Sequence, residues 1–167
     1  MIRKAERKDI DKIVKIYEDI LEKEENGEMT VGWERGVYPT EETALEALKA
    51  GTLFVLEEDG KIMASAKIDG EHDCPWENEA PDNRVMVLHT LVVDPAYSGR
   101  GFGKAFVSFY EEYSRKSGRP YLRMDTNENN RAARSLYKKL GYREAGVLPC
   151  RFNGIEGVGL VCLEKNL

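Results

Sequence analysis

Apolar residues recur along this chain with two periods, and the switches between them divide it into elements. Ile10, Ile13, Val14, Tyr17, Ile20 and Leu21 return every three or four positions, which predicts a helix burying one stripe, ended by Asn26-Gly27. A short strand, Ile2 to Ala5, precedes it. Thr40 is placed to cap a second helix, with Glu41 and Glu42 favourable in its first turn. Leu53–Glu57 and Lys61–Ile68 flank Asp59-Gly60, the signature of a hairpin. A polar loop follows from Asp69 to Asn83. Arg84 to Val93 is rich in β-branched residues and reads as a central strand. A third helix runs to about Ser117 and stops at Gly118, and Tyr121–Asp125 is the next strand. Ala132, Ala133, Leu136, Tyr137 and Leu140 mark a fourth helix, ended by Gly141. Strands near Tyr142–Leu148 and Val158–Glu164 complete the order β-α-α-β-β-β-α-β-α-β-β. The expectation is one α/β (α+β) domain over residues 1–167: a mixed, mostly antiparallel sheet of about seven strands flanked by about four helices, on both faces.

Composition narrows the classes of function. The chain has 167 residues, 41% of them hydrophobic, enough for one domain with a substantial core. The net charge of −5 argues against general nucleic-acid binding, though Arg100, Lys104, Arg131 and Arg134 are available for a local basic patch. No apolar run is long enough to span a membrane, and Met1-Ile-Arg-Lys leads straight into amphipathic sequence, so neither a signal peptide nor a membrane partner is expected. Cys74, Cys150 and Cys162 are odd in number and lack metal-ligand spacing. They suit a reducing, cytoplasmic setting, with no metal expected.

The segment from Leu91 to Lys104 carries the first chemistry. A buried strand is followed by a turn, by Ser98-Gly99-Arg100-Gly101-Phe102-Gly103-Lys104, and then by a helix. Glycines let backbone come close to a ligand, and the first amides of a helix lack internal partners and lie at the positive end of its dipole. Phosphate or pyrophosphate is the natural occupant. The spacing is not that of a nucleotide P-loop or of a dinucleotide fingerprint. On the loop alone, a plain helix entry stands beside the anion site.

The element order, with Ser98-x-x-Gly101-x-Gly103 after the fourth strand, resembles the GNAT superfamily of acetyl-CoA-dependent N-acetyltransferases, whose loop reads Gln/Arg-x-x-Gly-x-Gly/Ala. Asn130-x-x-Ala133-x-x-Leu136-Tyr137-x-x-Leu140-Gly141-Tyr142 resembles the family's second cofactor-binding helix. Ser98 departs from the usual Gln or Arg, which removes a side chain but no backbone donor. The resemblance implies that acetyl-CoA lays its pyrophosphate on the amides from Gly99 to Lys104, Phe102 included. Arg100 and Lys104 are candidates to add charge, the alternative for both being a solvated helix face. It also implies that the strand through Leu91, Val92 and Val93 splays from its neighbour and pairs its backbone with the pantetheine arm, a form of β-augmentation. Asn130 is a candidate for a pantetheine bond as well as a helix cap.

The same resemblance implies direct attack of an amine on the thioester. Tyr137 matches the family tyrosine that protonates the leaving thiolate. An alkylamine is mostly protonated at neutral pH, so a proton acceptor is needed. Asp125 and His89 are the candidate bases, with a water relay as the third choice. By strand alternation His89 shares a face with Val87 and Leu91. At Val87 other family members place a glutamate, so that route does not carry over. The acceptor is expected between residues 28–40, 72–83 and 150–157, with Trp33, Glu34, Arg35, Tyr38 and Trp76 as candidate contacts. Trp33 and Trp76 roofing a pocket would fit a small-molecule amine; an open groove would fit a peptide N-terminus. A non-catalytic acyl-CoA-binding module is the reading from another class, and a homodimer is compatible with the resemblance.

Overall fold

A computed structural model describes residues 1–72 and 80–167. The strands are β1 (Ile2–Lys4), β2 (Leu53–Glu58), β3 (Lys61–Asp69), β4 (Val85–Val93), β5 (Tyr121–Asn127), β6 (Arg143–Phe152) and β7 (Ile155–Asn166). The helices are α1 (Ile10–Glu25), α2 (Glu41–Lys49), α3 (Phe102–Lys116) and α4 (Arg131–Lys139), with three short 3-10 turns between elements. The order is the expected one. One seven-stranded sheet runs β1-β2-β3-β4-β5-β7-β6, antiparallel except for the β4–β5 pair.

Alternation along β2 explains the two layers. Leu53 and Val55 point to one face and join Ile10, Ile13, Ile16 and Tyr17 of α1 and Ala44 and Ala47 of α2. Phe54 and Leu56 point to the other face and join Phe106, Val107 and Tyr110 of α3. Each fully buried large apolar side chain contributes about 1.5–3 kcal/mol, so both faces hold helices firmly. Thr40 caps α2 in a reciprocal capping box with Thr43, as its position before two glutamates foretold. No helix among the described residues is long and apolar enough to cross a membrane.

Several boundaries differ from the sequence reading, and two regions differ most. Asp69 belongs to β3 instead of opening the loop. The last hairpin is longer: β6 runs to Phe152 and β7 starts at Ile155, joined by Asn153-Gly154 with both residues at positive φ. Asn-Gly is the strongest two-residue hairpin signal, and here it outweighs the polar composition around it.

Candidate functional site

β4 and β5 make the site by separating. Their parallel pairing runs from Val85↔Tyr121 to Leu88↔Met124 and stops there. Beyond it β5 continues beside β7 alone. The Tyr110 hydroxyl, rising from α3, sits among the Met86 carbonyl (2.7 Å), the Arg123 carbonyl (3.1 Å) and the Arg123 amide (3.2 Å), and ties down the paired half. The other half is a slot through the sheet.

A bulge changes what β4 presents at that slot. Ser65 faces Val92 and Lys67 faces His89, so Thr90 and Leu91 together oppose Ala66. Thr90 adopts φ +49°, uncommon for any residue with a Cβ and costly for a β-branched one. Its hydroxyl is held by the Tyr38 hydroxyl. The extra residue reverses the side-chain phase. Val87 and His89 line a cleft beside α1 and α2, whereas Leu91 and Val93 pack on the α3–α4 side with Met86 and Leu88. The expectation that His89 and Leu91 share a face is therefore corrected. Val92 lies in the core beside α1.

The loop after β4 is set by a buried aspartate. Asp94 bonds Lys12 of α1 at 2.6 Å and accepts the Ala96 amide at 2.9 Å, shaping the turn Pro95–Tyr97. Gly101 caps α3 in the left-handed region at φ +86°, a conformation costly for residues with a Cβ. Gly103 serves another purpose than close approach to a ligand: a Cβ there would stand 3.3 Å from Leu136 and 3.8 Å from Val93, so its absence lets α3, α4 and β4 converge. The amides of Phe102, Gly103 and Lys104 precede the first intrahelical bond, which Ala105 makes to Gly101. Ser98, Gly99, Arg100 and Lys104 are exposed, and the Arg100 guanidinium lies 5.6 Å over the Tyr97 ring. Asn130 caps α4, its side chain accepting the Ala133 amide at 3.1 Å.

Three cavities run in series through the slot. The first, about 400 Å³, is lined by Leu91, Val92, Val93, Ser98, Trp33 and Asn130. The second is narrow, about 90 Å³, and holds Tyr137. It shares Leu91, Trp33 and Asn130 with the first, and Tyr38, Thr90, Asp125, Phe152 and Asn153 with the third. The third is a polar cleft of about 1100 Å³ bounded by α1, α2, β3, β4 and the last hairpin. Asp125 thus stands where the narrow cavity opens into the cleft. Tyr137 lies on the donor side of that opening and His89 on the other. Burial, together with the Asp125 carboxylate, pushes the Tyr137 phenol above the ordinary tyrosine range. It remains a protonated donor under all ordinary conditions.

The remaining candidates divide. Tyr38 lines the cleft and the narrow cavity. Trp33 packs edge-on against Tyr38 at 5.9 Å and lines the first and second cavities but not the polar cleft. Glu34 spends its backbone on a bridge to Tyr38 and lines none of these cavities, and Arg35 turns back to Glu18 and Glu25 on α1. Trp76 lies outside the described residues.

Sequence reading missed the side chains that furnish the cleft from β3. Lys67 and Asp69 alternate onto it, with Asp69 opposite Val87 in register, so a carboxylate stands at that level from the neighbouring strand. Asp69 Oδ1 lies 3.0 Å from His89 Nε2 and accepts the Glu71 amide at 2.9 Å, and its Oδ2 meets Lys67 at 2.9 Å. Burial opposes ionisation of this carboxyl, but the bonds from His89 and Lys67 and the Glu71 amide outweigh it and hold it down at about 2. Polar residues at alternate positions, Lys67 and Asp69, in an otherwise buried strand were the available signal.

The comparisons agree with this geometry. Residues 14–142 match the Acetyltransferase (GNAT) family. An uncharacterized N-acetyltransferase of Methanocaldococcus jannaschii is 33% identical over 95 residues, 57% of this chain and 40% of that protein. N-alpha-acetyltransferase RimI of Mycobacterium tuberculosis is 38% identical over 79 residues, 47% of this chain and 48% of that protein. The matched segments thus span about half the length of these curated relatives or less. A GNAT-family acetyltransferase structure from Streptococcus agalactiae superposes with a TM-score of 0.80 at 24% identity, covering 100% of this chain and 95% of that one.

Proposed function

The chain belongs to the Acetyltransferase (GNAT) family, and from that premise we propose that it moves an acetyl group from acetyl-CoA to a primary amine of a small molecule. The observation that carries this reading is the series of three cavities, which joins the glycine loop, Tyr137 and the polar cleft by shared walls. The residues present fit the donor. The first amides of α3 suit a pyrophosphate, the β4 edge past Leu88 is open to a pantetheine arm through Leu91 and Val93, and Asn130 lies along the same path. Bound acetyl-CoA supplies an activated acyl thioester.

The chain's own groups do the rest. Asp125, at the mouth of the cleft, attracts a cationic amine to the point of transfer. Tyr137 donates a hydrogen bond to the sulfur as negative charge develops there. A phenol held above its ordinary range serves better as a fixed donor than as a source of a free proton. The size of the cleft supports a small molecule, since small-ligand sites run to roughly 1,000 Å³. The likeness to RimI supports the second reading, acetylation of a peptide N-terminus.

The test is a panel of small amines and short peptides incubated with acetyl-CoA while free thiol release is followed. Turnover with one class of small amine, at a kcat/KM well above that for every peptide, is expected. A preference for peptides overturns the small-molecule assignment. No thiol release above background, with no upward shift of Tm at saturating acetyl-CoA, overturns the transferase reading itself.

A further inference from the structure

The Lys67–Asp69–His89 group is built for more than lining a cleft. Register places Lys67 opposite His89 and Asp69 opposite Val87, all on the face toward α1 and α2. Ionised Asp69 only accepts hydrogen bonds, so the proton of neutral His89 resides on Nε2, which leaves the Nδ1 lone pair as the imidazole's basic site. Lys67 occupies the other carboxylate oxygen and also bonds Glu71 at 3.0 Å. The carboxylate is fixed on both oxygens, and the imidazole is fixed through it. His89 is one-fifth exposed and borders the cleft.

We propose that His89 is the proton acceptor for the incoming amine and that Asp69 is the positioning residue that sets its tautomer and orientation. The proposal rests on the transferase reading above. The ammonium of the acceptor gives one proton, through solvent in the cleft, to His89 Nδ1. The neutral amine then forms the C–N bond as the C–S bond breaks. As the C–S bond breaks, the second nitrogen proton passes through solvent to the departing sulfur, which leaves as the thiol, and His89 returns its own proton to solvent.

The charged groups that line the cleft with the imidazole come from several elements. Lys67 and Asp69 lie on β3, with Glu71 and His72 just beyond it; Glu46 is on α2 and Asp125 on β5, and the phenols of Tyr17 and Tyr38 complete the wall. Asp69 and Lys67 carry opposite charges beside the imidazole, so the loss of each is expected to act on the pH profile of the reaction in opposite directions. Asp69→Asn is expected to lower kcat/KM about tenfold or more and to move the acid limb of its pH profile to lower pH. Lys67→Met is expected to move that limb to higher pH. His89→Gln is expected to lose about 100-fold in kcat and to abolish the limb, with the Kd for acetyl-CoA unchanged. Nitrogen NMR of the imidazoles, assigned with His72→Gln because the chain has only two histidines, should show His89 protonated on Nε2 in the wild type and a mixture of tautomers in Asp69→Asn.

A merely structural His89 would lower activity and Tm together without opposed shifts. Limbs that stay in place, or move the same way in both variants, overturn the proposal. So does a limb that survives in His89→Gln and disappears in Asp125→Asn, which would make Asp125 the base. A wild-type protein that releases no thiol with any amine fails at the transferase reading, and that failure is visible before any variant is compared.

Discussion

The proposed donor side and the proposed acceptor side of this molecule are built in opposite ways. The donor side is contiguous: β4, the glycine loop and the first turn of α3 follow one another from Leu91 to Lys104, and α4 joins them through Leu136 packed on Gly103. Its expected contacts are backbone amides, which any sequence supplies once glycines permit the path. The acceptor side is assembled from side chains on α1, α2, β3, β4, β5 and the last hairpin, separated by up to more than a hundred residues. A binding site made of backbone tolerates change at most side chains. One made of side chains from six elements is free to diverge, and a family can keep its donor while exchanging acceptors.

Three substitutions would break or sharpen that contrast. The largest effect is expected at the junction. Tyr137→Phe removes one donor aimed at developing charge and should lower kcat about 10²- to 10³-fold, with acetyl-CoA affinity by calorimetry nearly unchanged; an unaltered kcat removes Tyr137 from the chemistry. Next is the donor side. Gly103→Val drives a branched side chain into Leu136 at a position where even a Cβ stands 3.3 Å away. A cost of about 1–3 kcal/mol is expected as a lower Tm, with weakened acetyl-CoA binding, and Leu136→Ala in the same chain should recover part of both. The smallest is on the acceptor side. Tyr38→Phe removes the bond to Thr90, worth about 0.5–1.5 kcal/mol. It should raise the KM for the amine while leaving acetyl-CoA binding unchanged; an equal loss on both sides would mean the two regions are not separable.

How much could be read in advance follows the same division. On the proposed donor side the local features were legible because glycine spacing, the Asn130 cap and the Leu136-Tyr137 pair are local patterns, and the fold brings them together as the element order requires. The acceptor side was legible only in outline. Residues 28–40, 72–83 and 150–157 each contribute to the cleft, through Tyr38, His72, Phe152 and Asn153, but Glu34 and Arg35 do not. Arg35 had carboxylates closer at hand on α1, a fact of three-dimensional proximity that aromatic and charged composition does not encode. Asp69 was assigned to a loop because it begins a polar stretch, although its alternation with Lys67 marks it as the end of a strand.

The sequence by itself determined the order and type of the elements and the placing of helices on both faces of the sheet, because hydrophobic period, capping and glycine placement act within a few residues. Tertiary structure alone decided where the sheet opens and which way β4 faces beyond it. The bulge at Thr90 depends on β3 pairing with β4 in one register and on Tyr38 arriving to hold the Thr90 hydroxyl. A shift of one residue in a strand sends every later side chain to the opposite face. That shift, written nowhere in the local pattern, sends Leu91 across the sheet, while the register before it sets His89 beside Asp69 in the cleft.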